Sequence, residues 1–550
     1  MSINPREQGD ANDLYTQVMR VHRDLKDVRE RYEPEWEQIN DLVMPRRSDF
    51  DWSKQPAQRN RRQIYNPLPG YLARKAADGI LGQSVNRGQD WFRIHSIDPQ
   101  VDRSRLFRRY VEDVEQVLFA LLRRSTLYEA AHDSVMDALT VGHTCLHREI
   151  QPGTYRVIYT ARHPKEVYIA SNRYGEVDTV VREFWMEARE IVDEFGARTL
   201  PERFMADAST SPYDTHKVIH LVRPRRDRDV TKIDKWNMPF ESIMVLEKYK
   251  HVLRESGYRR LPYAAIWRWR VNTGEVYARS PSWDALPDIK RLNEISKTMI
   301  SYVQEAADPA LQYPLEMKGK IDRRPRGMTP YTDPNRRVFR LHESGHAYPL
   351  GADLIQGIEQ QISEAFYADV FTVLTMHQDK DRTATEVIEL TNERTALLSA
   401  VIERFIMEFA TPVISDLYQV AAEHGWIPPK PEGLPDEAMA VQLEFLGPLA
   451  QGQKRHYNTG GINAAIQQFA SSAQLWPEVL DAVDPAELGR RQAHAVGMPE
   501  RVLRSPAEVR RIQESRQRMM QEQAEAERQQ QEAQAYSQMT KAPEQGSPVE

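Results

Sequence analysis

The 550-residue sequence has one cysteine, no long apolar run and no strong excess of either charge. Because Cys145 stands alone, a disulfide within the chain is excluded and a reducing compartment is expected. Beside Leu146, Cys145 is most simply a small buried residue rather than a reactive thiol. No apolar run approaches the ~18 residues that cross a bilayer, and the polar start MSINPREQGD does not resemble a signal peptide. We therefore expect no membrane contact.

The charge balance limits how the chain contacts nucleic acid. The net charge is −6, from 74 basic and 80 acidic residues. It excludes tight binding of duplex DNA over the whole protein surface. Any such contact is local or loose. The sequence also lacks a Gly-rich phosphate loop, a nucleophile elbow and a paired-cysteine metal site. We expect neither a catalytic residue nor a cofactor.

Length and periodicity predict a chain of three or four modules in an α+β, mainly helical fold. Apolar residues three and four apart predict one N-terminal helix from Leu14 to Leu42, or two in line broken near Pro34. They also predict helices near 68–81 and 103–140. From Cys145 to Val271 the period changes to two, which predicts antiparallel strands around one short helix at 188–195. Further helices are predicted at 438–449, 462–474 and 485–496. Ser505 and Glu508 then form a capping box before a helix that is polar on all sides.

Two long amphipathic helices frame the most informative stretch. The first opens at Ser280 and Pro281 and ends at Asp308 and Pro309; the second runs from Leu354 to Leu374. A third helix opens with a capping box at Thr383 and Glu386, and we expect a kink at Pro412. The excursion between the first two helices is rich in basic residues: Lys318, Lys320, Arg323, Arg324, Arg326, Arg336, Arg337 and Arg340. It suits an acidic partner surface or passing DNA, and a solvated loop explains it nearly as well.

One enzyme motif is formally present. His342, Glu343 and His346 match H-E-x-x-H, in which two histidines one helical turn apart bind zinc and the glutamate activates its water. That chemistry needs a helix, whereas Gly345 within the motif and Pro349 after it favour strand and turn. Because the motif is present but its context is unfavourable, a zinc metallohydrolase is kept only as the alternative function. A coiled-coil scaffold is a third class, which the β-rich middle disfavours.

The chain resembles the head-to-tail connector, or portal, proteins of short-tailed bacteriophages. The resemblance rests on RSPSWDALPDIKRLN at 279–293, Asp308 with Pro309, TATEV at 383–387, and RYEPEW at 31–36. It covers most of the chain up to about Ala450. It implies these segments: wing 1–279, stem helix 280–308, clip 309–350, second stem helix 351–376, tunnel loop 377–383, tunnel-loop helix with return to the wing 384–437, crown 438–504, barrel helix 505–540 and a disordered tail 541–550.

The resemblance also implies function, location and partners. The protein is expected in the virion at one capsid vertex, as a homo-oligomeric ring of twelve subunits assembled in the host cytoplasm. Its ring admits, retains and releases double-stranded DNA without sequence preference, and it is not an enzyme. The implied partners are the terminase motor, a tail adaptor, and capsid and scaffolding proteins. His377, Lys380 and Arg382 are the implied channel residues, and Lys318, Lys320, Arg323, Arg324 and Arg326 the implied docking residues.

Overall fold

The computed structural model describes residues 8–45, 64–151, 153–232, 234–269, 274–307, 311–313, 315, 318–319, 321, 338–340, 347–368, 401–434, 441–445, 484–496, 498 and 502–539. The chain forms two compact units. Residues 1–91 and 117–427 form the first unit, and residues 92–116 and 428–550 form the second. The predicted tunnel loop at 377–383, the helix at 462–474 and the tail at 541–550 lie outside the described residues.

Helices dominate the described chain. Up to residue 365 they are α1 (Gln8–Arg29), α2 (Glu33–Val43), α3 (Leu68–Ser84), α4 (Pro99–Asp102), α5 (Arg105–Arg124), α6 (Leu127–Thr140), α7 (Ala188–Phe195), α8 (Glu202–Thr210), α9 (Pro281–Asp284), α10 (Leu286–Ala307) and α11 (Ala347–Ala365). Single 3₁₀ turns occur at Pro164–Glu166 and Ala197–Thr199. The break near Pro34 is confirmed, because this proline falls in the first turn of α2, where its missing N–H has no helical partner.

The strands are β1 (Phe92–Ser96), β2 (His143–Ile150), β3 (Val157–Arg162), β4 (Val167–Ser171), β5 (Val177–Glu187), β6 (Thr215–Pro224), β7 (Phe240–Leu246), β8 (His251–Tyr258), β9 (Tyr263–Arg268), β10 (Leu311–Gln312), β11 (Phe339–Arg340) and β12 (Val441–Phe445). In the first unit, an antiparallel sheet has the order β4-β5-β6-β7-β8, and a second has the order β3-β2-β9. The α+β, mainly helical fold class is confirmed.

A buried ionic cluster holds α1 on the five-stranded sheet. The Glu183 carboxylate on β5 lies 3.0 Å from His22 Nε2 on α1 and 2.9 Å from Lys217 Nζ on β6. Burial raises the pKa of Glu183, but the hydrogen bonds from His22 and Lys217 outweigh it and lower this pKa to about 2. The Arg29 guanidinium lies 3.6 Å from the centre of the Tyr168 ring, so α1 contacts the sheet along its length.

The single helix predicted over 103–140 is wrong in its continuity. It breaks into α5 and α6, because Ser125 Oγ accepts the Leu127 N–H and the Thr126 side chain bonds β3. Thr126 Oγ1 donates to the Tyr159 carbonyl at 2.7 Å and accepts the Tyr159 N–H at 2.8 Å. A side chain that satisfies both backbone groups of a strand residue ends one helix and orients the next.

The second unit contains a correction of a different kind. The helix predicted at 438–449 is wrong, because its described part, Val441–Phe445, is a strand. This strand pairs antiparallel with β1, with Phe92 opposite Phe445 and Ile94 opposite Leu443. The helix predicted at 485–496 is confirmed as Pro485–Val496.

The C-terminal helix (Pro506–Met539) begins with the predicted capping box. Ser505 Oγ accepts the Glu508 N–H at 3.2 Å, and Glu508 Oε2 accepts the Ser505 N–H at 2.9 Å. Its described side chains are exposed, apart from partial cover of Val509 and Ile512. Among the helices that the structure describes, none combines the length and apolar character needed to span a bilayer.

Candidate functional site

The two helices predicted to frame the basic excursion are anchored at one end. We call this end, near Ser280 in the first helix and Ile362 in the second, the root of the pair. Ser280 caps α9, its Oγ accepting the Trp283 N–H at 3.0 Å, as predicted. The Ser280 hydroxyl also donates to the Thr140 carbonyl at 2.6 Å, and the Ser282 hydroxyl to the Leu139 carbonyl at 2.7 Å. Both serines are fully buried at the end of α6. Their bonds fix the direction in which the chain enters α10, because two otherwise unpaired helix-end carbonyls are satisfied there.

The helix pair itself is α10 packed against α11. Ile289 and Leu292 of α10 and Ile358 and Ile362 of α11 are buried. Gly351 permits close approach farther along, since a Cβ there would lie 2.6 Å from Met299 Sδ. The second helix begins at Ala347, four residues before the predicted bound at 351. Pro349 lies in its first turn, where proline is tolerated.

A polar bridge fastens the same pair to the segment before α3. Asn66 Nδ2 donates to Glu359 Oε1 at 3.1 Å and lies 3.4 Å from Ser296 Oγ. The Tyr65 N–H donates to Asn293 Oδ1 at 2.8 Å. Both helices are therefore held near their root by residues 65–66, a contact that their own periodicity does not indicate.

Beyond this root, the described part of the chain gives the pair little cover. Of the α10 side chains described after Met299, only Tyr302 is partly buried, and the rest are exposed. Ile300, Val303 and Leu354 are 43%, 48% and 53% exposed. An open groove of about 710 Å³ lies along the pair. Its lining residues are Met299, Ile300, Val303, Gln304, Ala352, Ile355, Gln356 and Glu359.

The third helix of the sequence returns to the sheet through a π-helical turn. Residues 401–405 are α-helical, Ile406–Ala410 is π-helical, and the return helix (Thr411–Glu423) follows. The irregularity lies just before Pro412, where we predicted a kink. Proline has no N–H, so a regular α-helix would leave the Glu408 carbonyl unpaired at this point. The π turn instead bonds the Thr411 N–H to the Ile406 carbonyl.

This return helix is anchored by aromatic packing on the end of β9. The Phe405 and Phe409 rings stack with centroids 5.0 Å apart, and Phe405 packs edge-on to Trp267 at 5.1 Å. Trp267 itself is buried, so this aromatic contact lies in the core of the described chain. The Arg404 guanidinium donates to the Trp269 carbonyl at 2.6 Å, and Glu408 Oε2 accepts the Arg268 N–H at 3.2 Å.

A second anchor lies farther along the return helix. Asp416 Oδ2 lies 3.3 Å from Arg148 Nε on β2, and Asp416 Oδ1 lies 3.8 Å from Arg260 Nη1. Arg260 Nη2 also contacts Glu423 Oε1 at 2.6 Å. Burial raises the pKa of Asp416 more than the two arginines lower it. Sequence reasoning missed this network, because its two arginines lie more than 100 positions from its two carboxylates and share no motif with them.

Most of the predicted site residues lie outside the described chain. These are the channel residues His377, Lys380 and Arg382, the docking residues Lys320, Arg323, Arg324 and Arg326, and the zinc-motif residues His342, Glu343 and His346. Lys318 is described and exposed. Cys145 is buried as predicted, and burial raises the pKa of its thiol far above the usual range. Within the described ranges, no group of His, Cys, Asp and Glu is arranged to hold a metal ion.

Comparison with known proteins gives one consistent family. The profile of the bacteriophage head to tail connecting protein family matches residues 15–503. The chain is 28% identical over 490 residues to a probable portal protein of Bordetella phage BPP-1, covering 86% of each chain. It is 26% identical over 506 residues to the portal protein of Salmonella phage epsilon15, covering 90% of each. A chain from the neck of an empty GTA particle computed with C6 symmetry matches 76% of this chain and 91% of its own, at 13% identity and a TM-score of 0.35.

These matches confirm the resemblance seen in the sequence and the portal function that it implies. They assign the protein to the virion, as a structural component that forms a ring-like oligomer at the head–tail junction. The chain belongs to the bacteriophage head to tail connecting protein family.

Proposed function

We propose that twelve copies form a ring whose channel admits double-stranded DNA during packaging, retains it, and releases it at infection. The α10–α11 pair supplies the channel wall. One observation carries this assignment: the pair is fixed at its root by buried serine bonds, yet its far half is exposed within its own chain. A helix pair with exposed apolar side chains is stable when other copies cover it.

The charge of α11 suits a surface past which DNA moves. Residues 347–365 contain Asp353, Glu359 and Glu364 and no lysine or arginine. DNA carries one negative charge per ~1.7 Å of its axis, and tight binding requires cations that displace its counterions. An acidic wall disfavours such binding, so DNA slides rather than sticks.

The segment 377–383 is the proposed tunnel loop, where His377, Lys380 and Arg382 contact the DNA backbone. Reversing two charges, by Lys380→Glu with Arg382→Glu, is expected to reduce packaging or retention of DNA while leaving rings intact, because attraction to phosphate becomes repulsion. Packaged DNA per particle is the measurement. Lys232→Glu, at an exposed position on the wing, is the matched control. Full heads in the double variant would contradict this role.

The basic excursion at 309–350 is the proposed clip, which docks first the terminase motor and then a tail adaptor. Lys318, Lys320, Arg323, Arg324 and Arg326 are its docking residues. Changing these five to glutamine is expected to weaken motor and adaptor binding to purified rings, since an acidic partner loses its counter-charges. Binding affinity measured at two salt concentrations checks this. Unchanged affinity for both partners would remove the docking assignment.

The ring has no catalytic role in this proposal, and the energy for packaging comes from the separate motor. Assembly takes place in the host cytoplasm with capsid and scaffolding proteins. The zinc hydrolase alternative requires stoichiometric zinc on His342 and His346. Metal analysis of the purified chain separates the two functions directly.

A further inference from the structure

The two flanks of the α10–α11 pair have different surfaces. On one flank is the groove, to which α11 contributes Ala352, Ile355, Gln356 and Glu359, a set spaced three and four apart on one helix face. Leu354 is not part of its lining. Leu354 instead continues the row of Ile358 and Ile362, on the side away from the groove. Those two isoleucines are buried, whereas Leu354 is 53% exposed.

The groove is apolar where it is most open. Ile300 and Val303 are 43% and 48% exposed, and both line it together with Met299 and Ile355. Its one charged lining residue, Glu359, already accepts the Asn66 amide. The groove therefore fits an aliphatic side chain better than a charged one.

A ring formed by rotation joins two different surfaces of each copy, so that every subunit presents one face to each neighbour. A groove on one flank and an exposed leucine on the other meet that requirement. Rotation about an axis leaves height along the axis unchanged. If the pair runs along the ring axis, Leu354 of one copy is level with the groove of the next, because Leu354 adjoins Ile355 on the same helix.

We propose that Leu354 of each subunit inserts into the α10–α11 groove of the adjacent subunit. This contact rests on the proposed ring and names the surface through which its stem closes. Leu354 fills the space bordered by Ile300, Val303 and Ile355. It thereby covers the apolar surface that a single copy leaves in water.

Paired cysteines test the contact, and the chain suits this because its one natural thiol, Cys145, is buried. Leu354→Cys with Gln356→Cys places thiols on opposite flanks, where a disulfide forms only between copies. Mild oxidation should give a ladder of covalent multimers on a non-reducing gel, at least tenfold above the control. That control is Leu354→Cys with Gln360→Cys, an exposed position outside the groove lining.

The outcomes are separable. If wild-type chain forms no rings on imaging, the proposed function fails. If the double variant forms rings under reducing conditions and stays monomeric on oxidised gels, or if the control crosslinks equally, the Leu354 contact is overturned and another segment covers the groove. Leu354→Cys with Ile300→Cys takes its second thiol from the other helix, and it replaces the first pair if Gln356→Cys disturbs folding.

Discussion

At the scale of single residues, buried polar side chains connect elements that are far apart in the sequence. Glu183 joins α1 to the sheet through His22 and Lys217, and Asp416 joins the return helix to β2 through Arg148. A buried carboxylate is stable only when its hydrogen bonds are satisfied. These contacts therefore favour one arrangement of α1, the return helix and the two sheets over others.

Glu183 gives a pH-dependent prediction. Its pKa in the folded chain is about 2, below its usual 4.5, so its stabilisation is complete above pH 4.5 and is lost as the pH falls toward 2. Glu183→Gln removes this contribution, and we expect a loss of up to about 3 kcal/mol at neutral pH. Thermal unfolding between pH 2 and 7 is the measurement.

The control for this prediction is Glu305→Gln, a change of the same kind at an exposed site on α10. It should leave the pH profile of unfolding unchanged. The difference in stability between wild type and Glu183→Gln should shrink in acid, because wild type then loses the same interaction. A constant difference across the pH range would show that the effect is one of packing.

At the scale of elements, the return helix determines how the segment before it is held. Its π turn places Phe405 and Phe409 against β9, while Met407 in the same turn is 68% exposed. The turn therefore has one face that packs and one that does not. This anchor positions residues 401–405, which lead back toward the proposed tunnel loop.

Phe409→Ala tests that anchor. Truncating a buried phenylalanine leaves a cavity and typically costs about 3–5 kcal/mol, so we expect a lower unfolding midpoint and faster amide exchange in the return helix. Met407→Ala is the matched control in the same turn, with an expected change within about 0.5 kcal/mol. Equal effects of the two variants would mean that the aromatic contact with Trp267 does not hold the helix.

Elements were predictable from the sequence where local pattern and final structure agree. The helix at 188–195 has the bounds of α7, and Ser280 and Ser505 cap the predicted helices. β2 has five buried residues in succession at its start, so it shows no alternation to detect. The helix predicted over β12 is wrong, and the alternation of Val441, Leu443 and Phe445 with polar residues agrees with the strand. Its pairing with β1, hundreds of residues earlier, decides its structure.

The contacts that anchor the candidate site were harder to predict from the sequence than its helices. Helix lengths and caps identify α10 and α11, but nothing near Asn66 indicates that it bonds both Glu359 and Ser296. Such contacts depend on how the chain folds back, which a one-dimensional pattern does not contain. The family resemblance supplied the function, and the structure supplied the root of the helix pair.

At the scale of the whole molecule, the proposed function depends on many copies acting together. One chain leaves an apolar groove, an exposed leucine and a long polar helix without partners among the residues that the structure describes. The exposed apolar groove is unfavourable for a monomer in water, and a helix that is polar on all sides has no core to hold it. In the proposed ring, neighbouring copies cover the α10–α11 pair and the C-terminal helices lie side by side.

The most direct test is negative-stain imaging of the purified chain. Uniform rings with a central hole are expected, and the averaged end-on view should show twelve repeats. Purified chain that remains monomeric, or that forms particles without a central hole, would contradict the proposed function.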